Sequence, residues 1–218
     1  YIVMWRKLMP ESTIDALAFF AQKYAIPCLL FLAVANLDLK KYFNIPLFAS
    51  YYIPATIIFI LGCITGYLFF KRSADEAVSV GFTTLFSNII LLGLTIMERA
   101  YGVDALSTNY ALASVHVLFC YIVGITCMET VHANGNSINE VISSVIKAIF
   151  KNTLALGLIL GFIFNFSGYA LPEALDVTFQ MMARSGLPIA LFALGGVLYR
   201  YEIKTNIPEV IAVAIIKL

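Results

Sequence analysis

Long apolar segments joined by short polar turns dominate this chain. A helix needs about 20 apolar residues to cross the hydrocarbon core of a bilayer. The complete spans that we predict are Ile14–Leu37, Phe48–Phe70, Ala77–Met97, Asn109–Met128, Ser144–Ser167 and Leu175–Leu198. Two shorter segments flank them, the apolar run Tyr1–Trp5 and the start of a span near Pro208, so we expect a fragment of a longer protein. The pattern predicts an all-α polytopic membrane protein.

Composition excludes several other classes of protein. Hydrophobic residues make up 61% of the 218 residues and charged residues 12%, whereas about a quarter of a soluble domain is charged. The net charge of +1 gives no electrostatic reason to expect a nucleic acid. The cysteines lie in apolar runs without the spacing of a metal site or a disulfide framework, so we expect no metal and no cofactor. They are Cys28, Cys63, Cys120 and Cys127.

Basic residues near the span ends predict the orientation. On one side lie Arg6, Lys7, Lys71, Arg72, Lys147, Lys151, Arg200 and Lys204, and on the opposite side lie Lys40, Lys41 and Arg99. Because cytoplasmic loops are enriched in Lys and Arg, the first group should face the cytoplasm. The polar connection Glu129–Glu140, which contains His132, Asn134, Gly135 and Asn136, should then be cytoplasmic.

The span Ala77–Met97 carries an unusual polar face. At 3.6 residues per turn this face comprises Gly81, Thr84, Asn88 and Thr95, with Ser87 beside it. Every polar group in lipid needs a partner within the protein, so the face should look into the helix bundle or a wet cavity. Small polar residues also bind helices to each other in membrane bundles, and this span alone leaves both interpretations open.

Two parts of the chain match at an offset of 161 residues. Asp15 lies over Asp176, Pro27 over Pro188, and a basic residue precedes each proline by four positions. The second copy lies five spans after the first, and an odd offset turns the second copy upside down in the membrane. Inverted repeats of this kind give many secondary transporters their two access states.

The two basic residues of the repeat are Lys23 and Arg184. Charges inside spans are costly and usually face a cavity, although Lys23 could instead extend to the interface. Each proline removes a backbone hydrogen bond and bends its helix. No Asp or Glu lies in the middle of a predicted span, so the basic residues would suit an anion. His116 has no carboxylate one turn away, and we interpret it as a packing or helix-to-helix hydrogen-bonding residue rather than a proton relay.

Three segments resemble the auxin efflux carrier family of organic-anion transporters. The matching segments are residues 24–33 (YAIPCLLFLA), Phe86-Ser-Asn88 with Gly93-Leu94, and residues 186–195 (GLPIALFALG). The resemblance covers essentially the whole chain. It implies ten spans in two inverted halves, with the fourth and ninth spans broken and crossing near the midplane. Asn88 matches the crossover asparagine of the fourth span.

The chain departs from the family at the expected break. Ile90 and Thr95 stand where the family typically has glycine and proline. Whether Ala77–Met97 is broken therefore stays open, and Gly93 is the residue expected to loosen the helix.

Together these observations predict a secondary transporter that moves a small mono- or dicarboxylate by alternating access. The predicted substrate-binding residues are Asn88, Ser87, Thr84, Arg184 and Lys23, and the predicted crossover and hinge residues are Gly93, Thr95, Pro27 and Pro188. The first repeat would cover residues 1–128, a cytoplasmic linker 129–143 and the second repeat 144–218. A membrane receptor that binds without transport is the alternative, and the absence of a nucleophile with a base argues against an enzyme.

We expect a multi-pass protein of the bacterial inner membrane. Its expected partners are the organic-anion substrate, the lipid bilayer and, as an open alternative to a monomer, a second copy in a homodimer.

Overall fold

The computed structural model describes residues 1–132, 138–201 and 207–218, and these residues form helices without any strand. The α-helices are α1 (Ile2–Trp5), α2 (Glu11–Phe20), α3 (Ile26–Ala35), α4 (Leu39–Tyr42), α5 (Ile45–Ile64), α6 (Ala74–Leu85), α7 (Leu94–Tyr101), α8 (Leu106–His132), α9 (Ile138–Lys151), α10 (Thr153–Ser167), α11 (Glu173–Arg200) and α12 (Ile207–Lys217). Three π-helical segments join neighbouring helices or extend them: Ala21–Ala25, Thr65–Phe69 and Ile89–Gly93.

Five helical stretches of the described residues are long and apolar enough to span a membrane. They are Glu11–Ala35, Ile45–Phe69, Ala74–Tyr101, Val103–Val131 and Glu173–Arg200. Each contains most of one predicted span, and their ends differ from the predicted ends by about a turn or two. The prediction of an all-α, polytopic membrane protein is therefore confirmed.

The predicted span Ser144–Ser167 is not one continuous helix. Helix α9 ends at Lys151 and α10 begins at Thr153. Between them, the side-chain oxygen of Asn152 accepts hydrogen bonds from the N–H groups of Leu154 (2.8 Å) and Ala155 (3.0 Å). This is an N-cap, which starts a new helix at that point. The predicted span Ser144–Ser167 therefore corresponds to the second half of α9 and the whole of α10, which Asn152 separates, and the two helices together are long and apolar enough for a broken span.

The chain forms two compact units that each combine distant segments of the sequence. Unit 1 comprises residues 1–38, 89–114 and 151–203, and unit 2 comprises residues 39–88, 115–150 and 204–218. The predicted boundaries of the two repeats describe symmetry in the sequence and not these compact units, so they stay a prediction. Residues Asn134, Gly135, Asn136 and Lys204, on which the predicted orientation partly depends, lie outside the described residues.

In unit 1, α3 packs against α10 and α11. A Cβ atom at Gly157 of α10 would lie 2.6 Å from the carbonyl oxygen of Pro27, so glycine permits this close approach. The side-chain amide of Asn165 donates to the carbonyl oxygens of Val34, Ala35 and Leu37 at 2.8–2.9 Å. These bonds satisfy carbonyl groups at and just beyond the C-terminal end of α3, where the helical hydrogen-bond pattern stops.

Pro27 leaves a defined gap in the helical hydrogen bonds of unit 1. In the π-helical segment before it, the N–H of Ile26 bonds to the carbonyl of Ala21, five residues earlier. The next acceptor in this pattern is the carbonyl of Gln22, but proline has no N–H to offer. The hydroxyl of Thr153 donates to that carbonyl instead, at 3.2 Å. The matching position, Pro188, lies inside the continuous α-helix α11, so the two predicted hinges differ in local structure.

In unit 2, α5 and α6 pack through small residues. A Cβ atom at Gly62 would collide with the Thr84 side chain, and one at Gly66 would lie 3.1 Å from the Cα of Ala77. The spacing of Gly62 and Gly66 therefore serves close helix packing, as small residues four apart do in membrane bundles.

Candidate functional site at a helix break

The fourth predicted span is interrupted at Phe86–Asn88. Helix α6 ends at Leu85, Phe86 has extended backbone angles of φ −72° and ψ 107°, and helical structure resumes at Ile89. Gly93 has helical angles of φ −58° and ψ −53°. The span is thus broken even though Ile90 and Thr95 stand where the family has glycine and proline. The sequence predicted that Gly93 would loosen the helix, but the interruption lies before Gly93.

Side chains from other helices take up the hydrogen bonds that the break leaves open. In a continuous α-helix the N–H of Ser87 would bond to the carbonyl of Thr83. Here the Ser87 N–H donates to Nε2 of His116, at 3.3 Å. The Thr83 carbonyl accepts instead from Nζ of Lys217 (3.2 Å), which also donates to the carbonyl of Phe86 (2.7 Å). A histidine and a lysine therefore replace one backbone hydrogen bond of the helix.

His116 is buried in an aromatic environment beside the break. The residue is only 3% exposed. The imidazole lies 5.7 Å from the rings of Tyr51 and Phe86 and 6.3 Å from that of Tyr52, measured between ring centroids. Tyr51 also hydrogen bonds with the Ser87 side chain. The interpretation of His116 as a packing or hydrogen-bonding residue is confirmed, although its partner Ser87 lies in the break and not in a helix, which the sequence did not predict.

Lys217 reaches the break because α12 packs beside α6. The first turn of α12 is held by Glu209, whose carboxylate accepts from Arg72 Nη2 at 2.7 Å and from Arg72 Nε at 3.3 Å. These hydrogen bonds raise the pKa of the Arg72 guanidinium above its usual value. Arg72, just before the start of α6, contacts the start of α12, and Lys217, at the end of α12, contacts the end of α6. The two helices therefore run parallel. Sequence reasoning missed Lys217 because 131 residues separate it from Phe86.

The predicted binding residues of unit 2 have different environments. Thr84 is 2% exposed, and its hydroxyl is within hydrogen-bonding distance of the carbonyls of Ile58 (3.0 Å) and Gly81 (2.7 Å). Thr84 therefore packs between α5 and α6. Ser87 is half-buried in the break, and the Asn88 side chain is exposed there. Of the three residues, Ser87 and Asn88 therefore lie at the break, whereas Thr84 lies in the packed interface between α5 and α6.

Arg184 and Thr95 line one cavity of unit 1. The cavity has a volume of about 730 Å³, and Pro188 contributes to its wall. Glu98 and Asp176 line it as well, so two carboxylates share the space with one guanidinium. The hydroxyl of Thr95 donates to the carbonyl of Leu91 at 3.0 Å, within its own helix. The charge balance of this cavity does not favour an anion.

Lys23 and Pro27 line a separate cavity of unit 1, of about 260 Å³. Phe31, Leu156, Leu160 and Phe179 give this second cavity a largely apolar wall. The structure thus places the two basic residues of the repeat in different cavities. Among the described residues, no three His, Cys, Asp or Glu side chains are grouped closely enough to hold a metal ion.

Among the described residues, five helical stretches are long and apolar enough to cross a bilayer, and one of them is interrupted at Phe86–Asn88. The chain is therefore an integral, multi-pass membrane protein. Its whole length, residues 1–218, matches the family model described as "Membrane transport protein". The chain belongs to this family, which confirms the resemblance to the auxin efflux carriers.

Three bacterial proteins are similar to the chain. They are named "Uncharacterized transporter YfdV" and come from Escherichia coli K12, Escherichia coli O157:H7 and Shigella flexneri. Each is 25% identical over 211 residues, which cover 93% of this chain and 66% of the relative. The chain therefore spans about two-thirds of their length. Their bacterial origin agrees with the predicted location in an inner membrane.

Proposed function

We propose that this protein is a secondary transporter that moves a small mono- or dicarboxylate by alternating access. The observation that carries the proposal is the interrupted span, in which Ser87 and Asn88 lie between two helical halves. The second half, which begins at Ile89, directs its first backbone N–H groups and the positive end of its dipole toward the break. Broken helices in transporters bind the carboxylates of substrates in this way.

The contact between Ala25 and Gly186 supports the alternating-access part of the proposal. These residues are 161 positions apart, the offset of the sequence repeat, and an ideal Cβ at Gly186 would lie 3.5 Å from the Cβ of Ala25. Where two inverted copies are related by a two-fold axis, equivalent residues meet at that axis. The antiparallel pairing of Arg200 with Asp15, with 2.7 Å between Nη1 and Oδ1, fits the same arrangement.

Substitution of Asn88 tests the proposed site. If its amide donates to a bound carboxylate, Asn88→Ala should weaken binding of malonate by about 10- to 150-fold, because a hydrogen bond to a charged group contributes roughly 1.5–3 kcal/mol. Asn88→Asp should weaken it further, since one carboxylate would face another. Affinity and melting temperature are measured on full-length protein in detergent.

Asn165→Ala is the matched control for this experiment. Its amide bonds to the end of α3, so we expect a lower melting temperature and unchanged affinity. If both Asn88 variants keep the wild-type affinity while their melting temperatures fall, Asn88 only joins helices and the proposed site is wrong.

A further inference from the structure

Lys217 provides a positive charge at the break that the sequence motifs do not include. Its Nζ atom lies 2.7 Å from the carbonyl oxygen of Phe86 and 3.2 Å from that of Thr83. An ammonium group has three N–H donors, and these bonds occupy two of them.

The position of the charge matters for an anion. The end of α6 carries the negative end of the helix dipole, equivalent to roughly half an elementary charge. Its last carbonyls would repel a carboxylate that entered the break. The full charge of Lys217 more than offsets this partial charge, so the ammonium makes this side of the break attractive to an anion.

The neighbouring contacts hold the ammonium in place. Two carbonyl groups fix Nζ, and the Arg72–Glu209 pair fixes the other end of α12. A cation that is held in advance loses less conformational entropy when it binds a ligand than a mobile one does. By contrast, Arg184 shares its cavity with Glu98 and Asp176.

We propose that Lys217 is a further substrate-binding residue, whose ammonium group, held at the break by the carbonyls of Thr83 and Phe86, binds the carboxylate of the transported anion. This inference rests on the proposed function and adds to it the group that provides the positive charge. A lysine that only caps α6 would make the same two carbonyl bonds, so the test must separate charge from capping.

The variant Lys217→Gln makes this separation, because an amide can still donate to the carbonyls but carries no charge. We expect it to bind malonate at least about 10-fold more weakly than the wild type. Lys217→Arg keeps the charge and should retain most of the affinity. Lys147→Gln is the matched control on the exposed side of α9, and its affinity should equal that of the wild type. Binding is measured by titration calorimetry on full-length protein in detergent.

Malonamide, a neutral analogue of malonate, gives a test that needs no variant. The wild type should bind malonate much more tightly than malonamide, and Lys217→Gln should lose this preference. Equal affinity of the wild type for the two compounds, or no binding of malonate at all, would overturn the inference. It is also overturned if Lys217→Gln binds malonate as the wild type does, or if the variant loses stability but keeps its preference for malonate.

Uptake into liposomes separates this inference from the proposed function. Binding that depends on Lys217 without uptake by the wild type would support the inference and contradict transport. Uptake that Lys217→Gln performs with an unchanged KM would support transport and contradict the inference.

Discussion

Ser87 donates its backbone N–H to a histidine side chain instead of to the carbonyl four residues earlier. That carbonyl, which belongs to Thr83, accepts a hydrogen bond from the ammonium group of Lys217 instead. An unpaired backbone group in a water-poor interior costs about 1–3 kcal/mol. Because His116 and Lys217 supply one acceptor and one donor, the helix can open at this point without leaving either group unpaired.

Replacement of His116 tests this role at the scale of one residue. In His116→Phe the aromatic packing is kept but the Ser87 N–H loses its acceptor, so we expect the protein to be destabilised by about 1–3 kcal/mol. His116→Gln offers a carbonyl oxygen as a new acceptor and should be less destabilised. The measurement is the thermal stability of full-length protein in detergent. Equal losses in the two variants would contradict the hydrogen-bonding role.

At the scale of helices, close packing between α5 and α6 fixes the first half of the broken span. A Cβ atom at Gly81 would collide with the Cys63 side chain and lie 2.8 Å from the carbonyl oxygen of Phe59. Thr84 adds a hydroxyl hydrogen bond across the same interface. The first half of the span is therefore packed closely against α5 as far as Thr84.

The glycines of two interfaces should respond differently to the same substitution. Gly81→Ala forces a methyl group into occupied space, and overpacking of this kind costs roughly 1–3 kcal/mol. Gly186→Ala is the matched control, because its Cβ would lie 3.4 Å from the nearest atom, an ordinary contact with Ala25. It should be neutral or stabilising, since alanine favours a helix over glycine by about 1 kcal/mol. A melting temperature of Gly81→Ala at or above that of Gly186→Ala would contradict the packing described here.

The sequence predicted the spans well because their length and apolar content depend on the bilayer rather than on tertiary contacts. It also identified Phe86-Ser-Asn88 as part of a family motif. It could not predict that the break needs His116 and Lys217, because these partners come from helices far away in the chain. Periodicity places Gly81, Thr84 and Asn88 on one face, but Thr84 packs against α5 whereas Asn88 is exposed at the break. Side chains on one helical face can therefore serve different purposes.

At the scale of the whole molecule, each compact unit combines segments from separate parts of the chain. The broken span contributes α6 to unit 2 and α7 to unit 1. The interruption at Phe86–Asn88 therefore coincides with the point at which the chain passes from one compact unit to the other.

The most direct test of the account is uptake of radiolabelled malonate into liposomes that contain the full-length protein. We predict saturable uptake by the wild type, and uptake by Asn88→Ala that is reduced about 10-fold or more when malonate is well below KM. Liposomes without protein set the background. If the wild type binds malonate with an affinity that depends on Asn88 yet liposomes accumulate no more label than the background, the protein is a receptor and not a carrier.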